Sequence, residues 1–288
     1  MSFVVNMACG LANRMFQYSY YLYLKKQGLD VAVDYYRKAA LAHENVDWEH
    51  IFPNASLPQI SKLKSLIWGG GTDVFSRAFR RFVPSLTRVV QMPTAFDAYI
   101  PKQNKAYVMG VFQNASMVQE VEEEVLQAFD FAPFSEGKNK ILMEEMDGCN
   151  SIGIHVRKGA DYQKRIWYQG TCPLSYYHQA MEYMRRKIDK PRFYVFTDNV
   201  EWVRENFKGL DYVLVEGNPG TGWGSHFDMQ LMSCCKHNII SNSTYSWWGA
   251  FLNRNVDKIV VGPKQWFNPD SCLESTSEQT LCTDWIAL

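Results

Sequence analysis

The chain has 288 residues, and 30 Lys+Arg balance 30 Asp+Glu to a formal charge of zero. That balance excludes a generic nucleic-acid binder, which would carry a basic excess. An apolar share of 47% excludes disorder, and the length predicts about two domains.

Phe3–Met7 reads as a buried strand, Gly10 and Asn13 as a turn, and Arg14–Gln27 as a helix with Met15, Phe16, Tyr18 and Leu22 at helical spacing. Val31-Ala32-Val33 is the next strand. Residues 40–104 are harder to read, with a breaker at Gly69-Gly70-Gly71. Ala106–Phe112 reads as a strand, Val118–Phe129 as a helix, and Pro133–Gly137 as a crossover near a domain boundary. In the second half, five apolar runs alternate with helical stretches. The runs are Ser151–Val156, Arg192–Thr197, Asp211–Val215, Asn238–Ser241 and Lys258–Val261. The stretches are Pro173–Ile188, Asn199–Phe207, Ser225–Lys236 and Thr244–Asn253. This alternation implies βαβ units and a parallel sheet.

Seven cysteines, two of them adjacent at Cys234 and Cys235, show no CxxC or CxxH spacing. They read as reduced thiols, with no zinc motif. The N-terminus lacks a charged and then apolar leader, and no apolar run reaches the ~18–20 residues of a membrane span. The expectation is a cytoplasmic protein.

In open α/β sheets, ligands bind beyond the carboxyl ends of the strands. Here those ends carry His155-Val156-Arg157, Thr197-Asp198-Asn199, Glu216-Gly217-Asn218, Ser241-Asn242-Ser243-Thr244 and Gly262-Pro263-Lys264. The first strand ends in Ala8-Cys9-Gly10-Leu11-Ala12-Asn13-Arg14. Ser243-Thr244, opening a helix, can hold a phosphate, and Arg157 can supply a fixed bidentate cation. The plainer readings are a helix cap and a surface ion pair. Asp198 can accept from the two N–H groups of a guanine edge, or cap the next helix. Trp247 and Trp248 read as packing residues before sugar platforms. No GxxxxGK[ST] or GxGxxG motif is present, which argues against a P-loop ATPase and a dinucleotide oxidoreductase.

The segment from Asp228 through Cys234-Cys235, Ser241-Asn242-Ser243-Thr244 and Trp247-Trp248-Gly249 to Leu252 resembles the signature of glycosyltransferase family 11, the α-1,2-fucosyltransferases. Three further blocks agree in order. Gly10-Leu11-Ala12-Asn13-Arg14-Met15-Phe16-Gln17-Tyr18 is similar to the family's GLGNQMFQY loop. Ile154-His155-Val156-Arg157-Lys158-Gly159 is similar to its HxRRGD block, and Phe196-Thr197-Asp198-Asn199 to its FSDD stretch. The chain departs from the pattern at Ala12 and Arg14, at Ala160-Asp161 where the block's aspartate is displaced by one residue, and at Asn199.

The resemblance implies a GT-B arrangement, two Rossmann-like domains facing across a cleft. Residues 1–148 would form the acceptor side and 149–288 the GDP-fucose-binding domain, with the C-terminal end packing back on the first. It implies inverting transfer of L-fucose from GDP-β-L-fucose to the 2-hydroxyl of a β-galactoside, in an oligosaccharide or a lipid-linked glycan. It needs no metal and no cofactor beyond the donor. A bacterial origin follows from the missing anchor that Golgi relatives carry. The donor would meet Asn13, Arg14, Arg157, Asp198, Asn242, Ser243 and Thr244. Arg157 would stabilise the departing β-phosphate, and His155 would contact the nucleotide or simply pack. Asp161 is one candidate for the general base, and Asp34, Glu44 and Glu49 are others, among which the sequence does not choose.

The stretch Lys62, Lys64, Arg77, Arg80, Arg81, Arg88 holds one acid, Asp73, and interleaves Trp68, Phe75, Phe79 and Phe82. It reads as a solvated helix face with a buried aromatic side, or as a peripheral contact with an inner-membrane surface. Sequons at Asn54, Asn114 and Asn242 are expected to stay unmodified. Three alternatives remain: a fucosyltransferase of another linkage in the HxR group, a non-catalytic GDP-sugar or glycan-binding protein, and a thiol enzyme built on Cys9 or Cys172.

Overall fold

The computed structural model describes residues 3–36, 47–68, 74–82, 89–91, 100, 105–222, 224–271 and 277–288. Gly69-Gly70-Gly71, Glu44, Asp73 and Arg88 lie outside them. The chain divides into two compact units, Met1–Asp130 and Phe131–Leu288.

The first unit is built on four parallel strands: β1 (Phe3–Asn6), β2 (Val31–Asp34), β3 (Val89–Gln91) and β4 (Ala106–Val108), in the order β2-β1-β4-β3. β1 is buried throughout and sits in register with Val31 of β2 and Ala106 of β4 through Phe3. The helix Leu11–Lys26 follows β1. It starts three residues earlier than the Gly10–Asn13 turn implied. Gly10 is its N-cap, in extended backbone, so Asn13 and Arg14 lie in its first turns. Aromatic residues, 15% of the sequence, help fill this core. Tyr20 stacks on Phe112 at 3.9 Å, and Tyr18 packs on Trp48 and Phe129. The helix expected over Val118–Phe129 is two short ones, Ala115–Glu120 and Glu122–Ala128.

The second unit holds six parallel strands: β5 (Asn150–Val156), β6 (Pro191–Thr197), β7 (Val213–Leu214), β8 (His237–Ile239), β9 (Val260–Gly262) and β10 (Ile286–Ala287). Their order is β10-β9-β8-β5-β6-β7, so β5 is flanked by β8 and β6. The helix Leu174–Lys187 buries Tyr177, Met181 and Met184 against Ile152, Ile154, Phe193 and Val195.

The division falls at Asp130/Phe131, ahead of the expected 148. The helix Lys138–Asp147 explains the shift, because it packs on β5 and on the helix Phe227–Cys234. The chain's end is also reassigned. It belongs to the second unit, where β10 pairs with β9 and Trp285 packs on Trp247. No helix of the described residues is long and apolar enough to cross a membrane.

Candidate active site

Arg157 and Asp198 follow the neighbouring strands β5 and β6. The Arg157 Nη1 atom lies 2.8 Å from Asp198 Oδ2. The other oxygen, Oδ1, accepts the backbone N–H groups of Lys158 at 2.7 Å and Gly159 at 3.0 Å. The carboxylate thus both orients the guanidinium and shapes the loop that carries it. With Asp198 committed there, the cap of the helix Val200–Asn206 falls to Asn199, whose Oδ1 accepts from Trp202 N at 3.0 Å. The Asn199 amide also donates to the Lys158 carbonyl at 2.9 Å. An aspartate has no such donor, so this departure from the FSDD pattern adds a bond.

The Lys158 ammonium sits near the rings of Trp202 and Tyr162, at 5.4 and 5.7 Å. Burial lowers its pKa, against the opposing pull of Cys172 and Asp198.

β8 leads into the helix Thr244–Phe251 through Ser241-Asn242-Ser243. Ser243 is the N-cap, yet no side chain bonds the first-turn N–H groups. Among the described residues neither the Ser243 nor the Thr244 hydroxyl has a hydrogen-bond partner. Asn242, by contrast, is buried and bonded through both ends of its amide. Its Oδ1 accepts from the Tyr162 hydroxyl and the Cys172 thiol, and its amide donates to Trp266 O at 2.8 Å. It is a tie within the fold, and its sequon lies in the interior.

His155 Nδ1 pairs with Ser241 Oγ at 2.8 Å. Burial, aided by the Arg157 charge, pushes the imidazole down to about 3. It is therefore neutral at pH 7. Trp247 and Trp248 are buried packing residues: Trp247 stacks on Phe251 and leans on Trp285, and Trp248 lies edge-on to Trp247 and Phe251.

Asp161 lies in the short helix Ala160–Gln163, directly after Gly159; its side chain is outside the described set. Asp34 is fully buried. Its Oδ2 accepts from Ser65 Oγ at 2.6 Å and Tyr107 Oη at 2.7 Å, while Oδ1 takes the Tyr36 N–H. That role ties β2 to β4 and removes Asp34 from the base candidates. Glu49 is exposed on the helix Trp48–Ile51. In the first unit Asn13 accepts from Gln113, and the buried Arg14 bonds the Tyr35 hydroxyl at 2.8 Å with its guanidinium over the ring. The Cys172 thiol is pushed up to about 12 by burial, which removes it as a nucleophile.

Asp228 opens the segment that carried the resemblance. It is largely buried, and burial raises its pKa. Asn218, after β7, donates to its Oδ1 at 2.7 Å. The Tyr245 hydroxyl bonds Ser225 O and Met229 N, joining this region to the Ser243–Thr244 helix. Among the described residues, no group of three His, Cys, Asp or Glu side chains is placed to hold a metal ion.

Three relatives and one solved structure bear on this arrangement. The O-antigen biosynthesis glycosyltransferase WbnK of Escherichia coli is 40% identical over 124 residues, 42% of this chain and 40% of that protein. An Escherichia coli alpha-1,2-colitosyltransferase is 32% identical over 168 residues, 55% of each chain. The human galactoside alpha-(1,2)-fucosyltransferase 1 is 31% identical over 107 residues, 35% of this chain and 28% of that protein. The chain thus spans about half or less of the length of these curated relatives. In fold, it is similar to the fucosyltransferase NodZ from Bradyrhizobium, with TM-score 0.50, 14% identity, and coverage of 86% of this chain and 92% of that one. The fold is accordingly of the GT-B type, with two parallel-sheet α/β units. The family model for glycosyl transferase family 11 matches residues 91–288, and the chain belongs to that family.

Proposed function

We propose that the protein transfers L-fucose from GDP-β-L-fucose to the 2-hydroxyl of a β-galactoside, with inversion and without a metal. The observation that carries this reading is the Arg157–Asp198 pair beside the uncapped Ser243–Thr244 helix, on the adjacent strands β5, β6 and β8. Neighbouring parallel strands lie about 4.8 Å apart, so these groups are within reach of one diphosphate. The first-turn N–H groups of that helix point at an anion by geometry, and the helix dipole favours it.

Negative charge grows on the β-phosphate as its bond to the sugar breaks. Arg157, held in place before the donor arrives, stabilises that charge without reorganising. Ser243 and Thr244 hold the phosphates through hydroxyl and backbone N–H. Asp198 orients Arg157; reading guanine as well requires it to exchange one of its present bonds for the base edge. Neutral His155 fixes the strand end from behind. Asp161, Glu44 and Glu49 are the candidates for the base that takes the acceptor proton.

A second reading concerns the donor sugar. The colitosyltransferase match extends over more of this chain than the fucosyltransferase match, 55% against 35%. A colitosyl group in place of fucose uses the same phosphate machinery. The relative named for O-antigen biosynthesis supports an O-antigen glycan as acceptor.

A donor panel against β-galactosides, with product linkage read by NMR, tests both readings. An α-1,2-fucosylated product is expected. Turnover of a colitosyl donor alone selects the second reading, and nucleotide binding without transfer or hydrolysis selects a binding protein.

A further inference from the structure

Two short helices of the first unit, Lys62–Trp68 and Val74–Phe82, pack side by side. Ser65 of the first turns inward to Asp34, and Trp68 packs on the core. At about 100° per residue, this leaves Leu63 and Leu66 on the outward side, flanked by Lys62 and Lys64. In the second helix Val74, Phe75, Phe79 and Phe82 share an arc of about 140°, with Arg77 and Arg81 outside it. The aromatic side is not buried as the sequence led us to expect. Phe75 is 87% exposed, Phe82 79% and Leu63 67%. Among the described residues, six of the eleven exposed large apolar side chains fall in these two helices. Scattered exposed apolar residues are ordinary; a cluster of this kind marks a contact surface.

The charge on this surface selects its occupant. Lys62, Lys64, Arg77 and Arg81 are exposed around the apolar side chains, and the helices contain no acidic residue. Phe75, Phe79 and Phe82 fall within an arc of about 60°, beside exposed cations, the pattern of a helix lying flat in an anionic interface rather than of a pocketed protein contact. A second copy would bring like charges together. We propose that this surface docks on an anionic lipid bilayer, with the phenylalanines in the acyl boundary and the cations at the headgroups. The proposal stands independently of the sugar transferred.

Flotation of the full chain with phosphatidylcholine vesicles, with and without one third phosphatidylglycerol, tests it. Binding to the anionic vesicles is expected, weakening as salt rises. Phe75→Ser with Phe82→Ser should lower the partition coefficient at least about tenfold, since both side chains leave the acyl boundary. Arg77→Glu with Arg81→Glu should lower it further and remove the salt dependence. These exposed substitutions should leave the thermal midpoint unchanged. Absence of flotation at low salt, equal binding to neutral vesicles, or unaltered binding by the variants overturns the proposal. So does self-association without lipid that Phe75→Ser abolishes, which assigns the face to a second copy.

Discussion

His155 Nδ1 and Ser241 Oγ are 2.8 Å apart, a direct bond between the end of β5 and the turn that opens the Thr244–Phe251 helix. One side of that bond leads in two residues to Arg157, and the other leads in two to Ser243. The imidazole is thus a spacer between the cation and the helix start, and its neutrality keeps it from competing with Arg157 for a phosphate.

That neutrality sets a pH dependence of stability. In the unfolded chain the imidazole takes up a proton near its ordinary value of about 6.5; in the fold it does so only near pH about 3. Between these values the unfolded state binds more protons, so stability falls as pH falls, by up to about 1.4 kcal/mol per unit. Urea unfolding at pH about 7.5 and 5.5 should show the loss, and His155→Gln should flatten it. An equal slope in that variant removes His155 as the source.

Arg157→Ala should lower transfer by about a hundredfold or more while the protein stays folded, as expected for loss of a preorganised charge at the leaving group. Arg157→Lys should recover only part, because the bidentate fork is lost. Steady-state kinetics with circular dichroism checks both, and near-native turnover in the alanine variant takes Arg157 out of the mechanism.

Ser243→Ala should behave unlike most N-cap substitutions. Replacing a bonded N-cap serine costs about 1 kcal/mol, but the Ser243 hydroxyl caps nothing here. Thermal unfolding should be nearly unchanged, while GDP affinity measured by calorimetry should drop several-fold. A clear fall in the melting temperature with intact GDP binding contradicts the phosphate role.

Asn242→Ala should do the reverse. It strands the Trp266 carbonyl in the interior, at a cost of about 1–3 kcal/mol for a group left unpaired, while the Tyr162 hydroxyl keeps its bond to Thr171 Oγ1 at 2.6 Å. Denaturant unfolding should register that loss. A fully stable variant with impaired donor binding assigns Asn242 to the ligand instead.

The second unit was legible because its strands are apolar runs set off by helix starts. Arg157, Ser243 and Asp198 stood out as polar residues just where such runs stop. The first helix was read late because Gly10 caps it without a side-chain bond, so the sequence shows no polar start signal. β3 and β10, of three and two residues, are too short for alternation to register. The unit boundary was misplaced because the helix Lys138–Asp147 precedes β5 in sequence yet buries Met146 in the second unit. Asp34 looked like a base at a strand end; only its three partners reveal that it joins strands. Asp198 looked like a base reader or a cap, and neither spacing nor periodicity shows that it grips the loop after β5.

Trp247 donates its indole N–H to Thr280 O at 2.5 Å and rests against Trp285. The helix that starts at Thr244 is therefore braced from behind by the last segment of the chain. A nick between Thr280 and Trp285 leaves every motif residue covalently intact, yet removes the buttress on which the start of that helix leans. On the function proposed above, such damage would loosen the phosphate contacts from the far side of the helix.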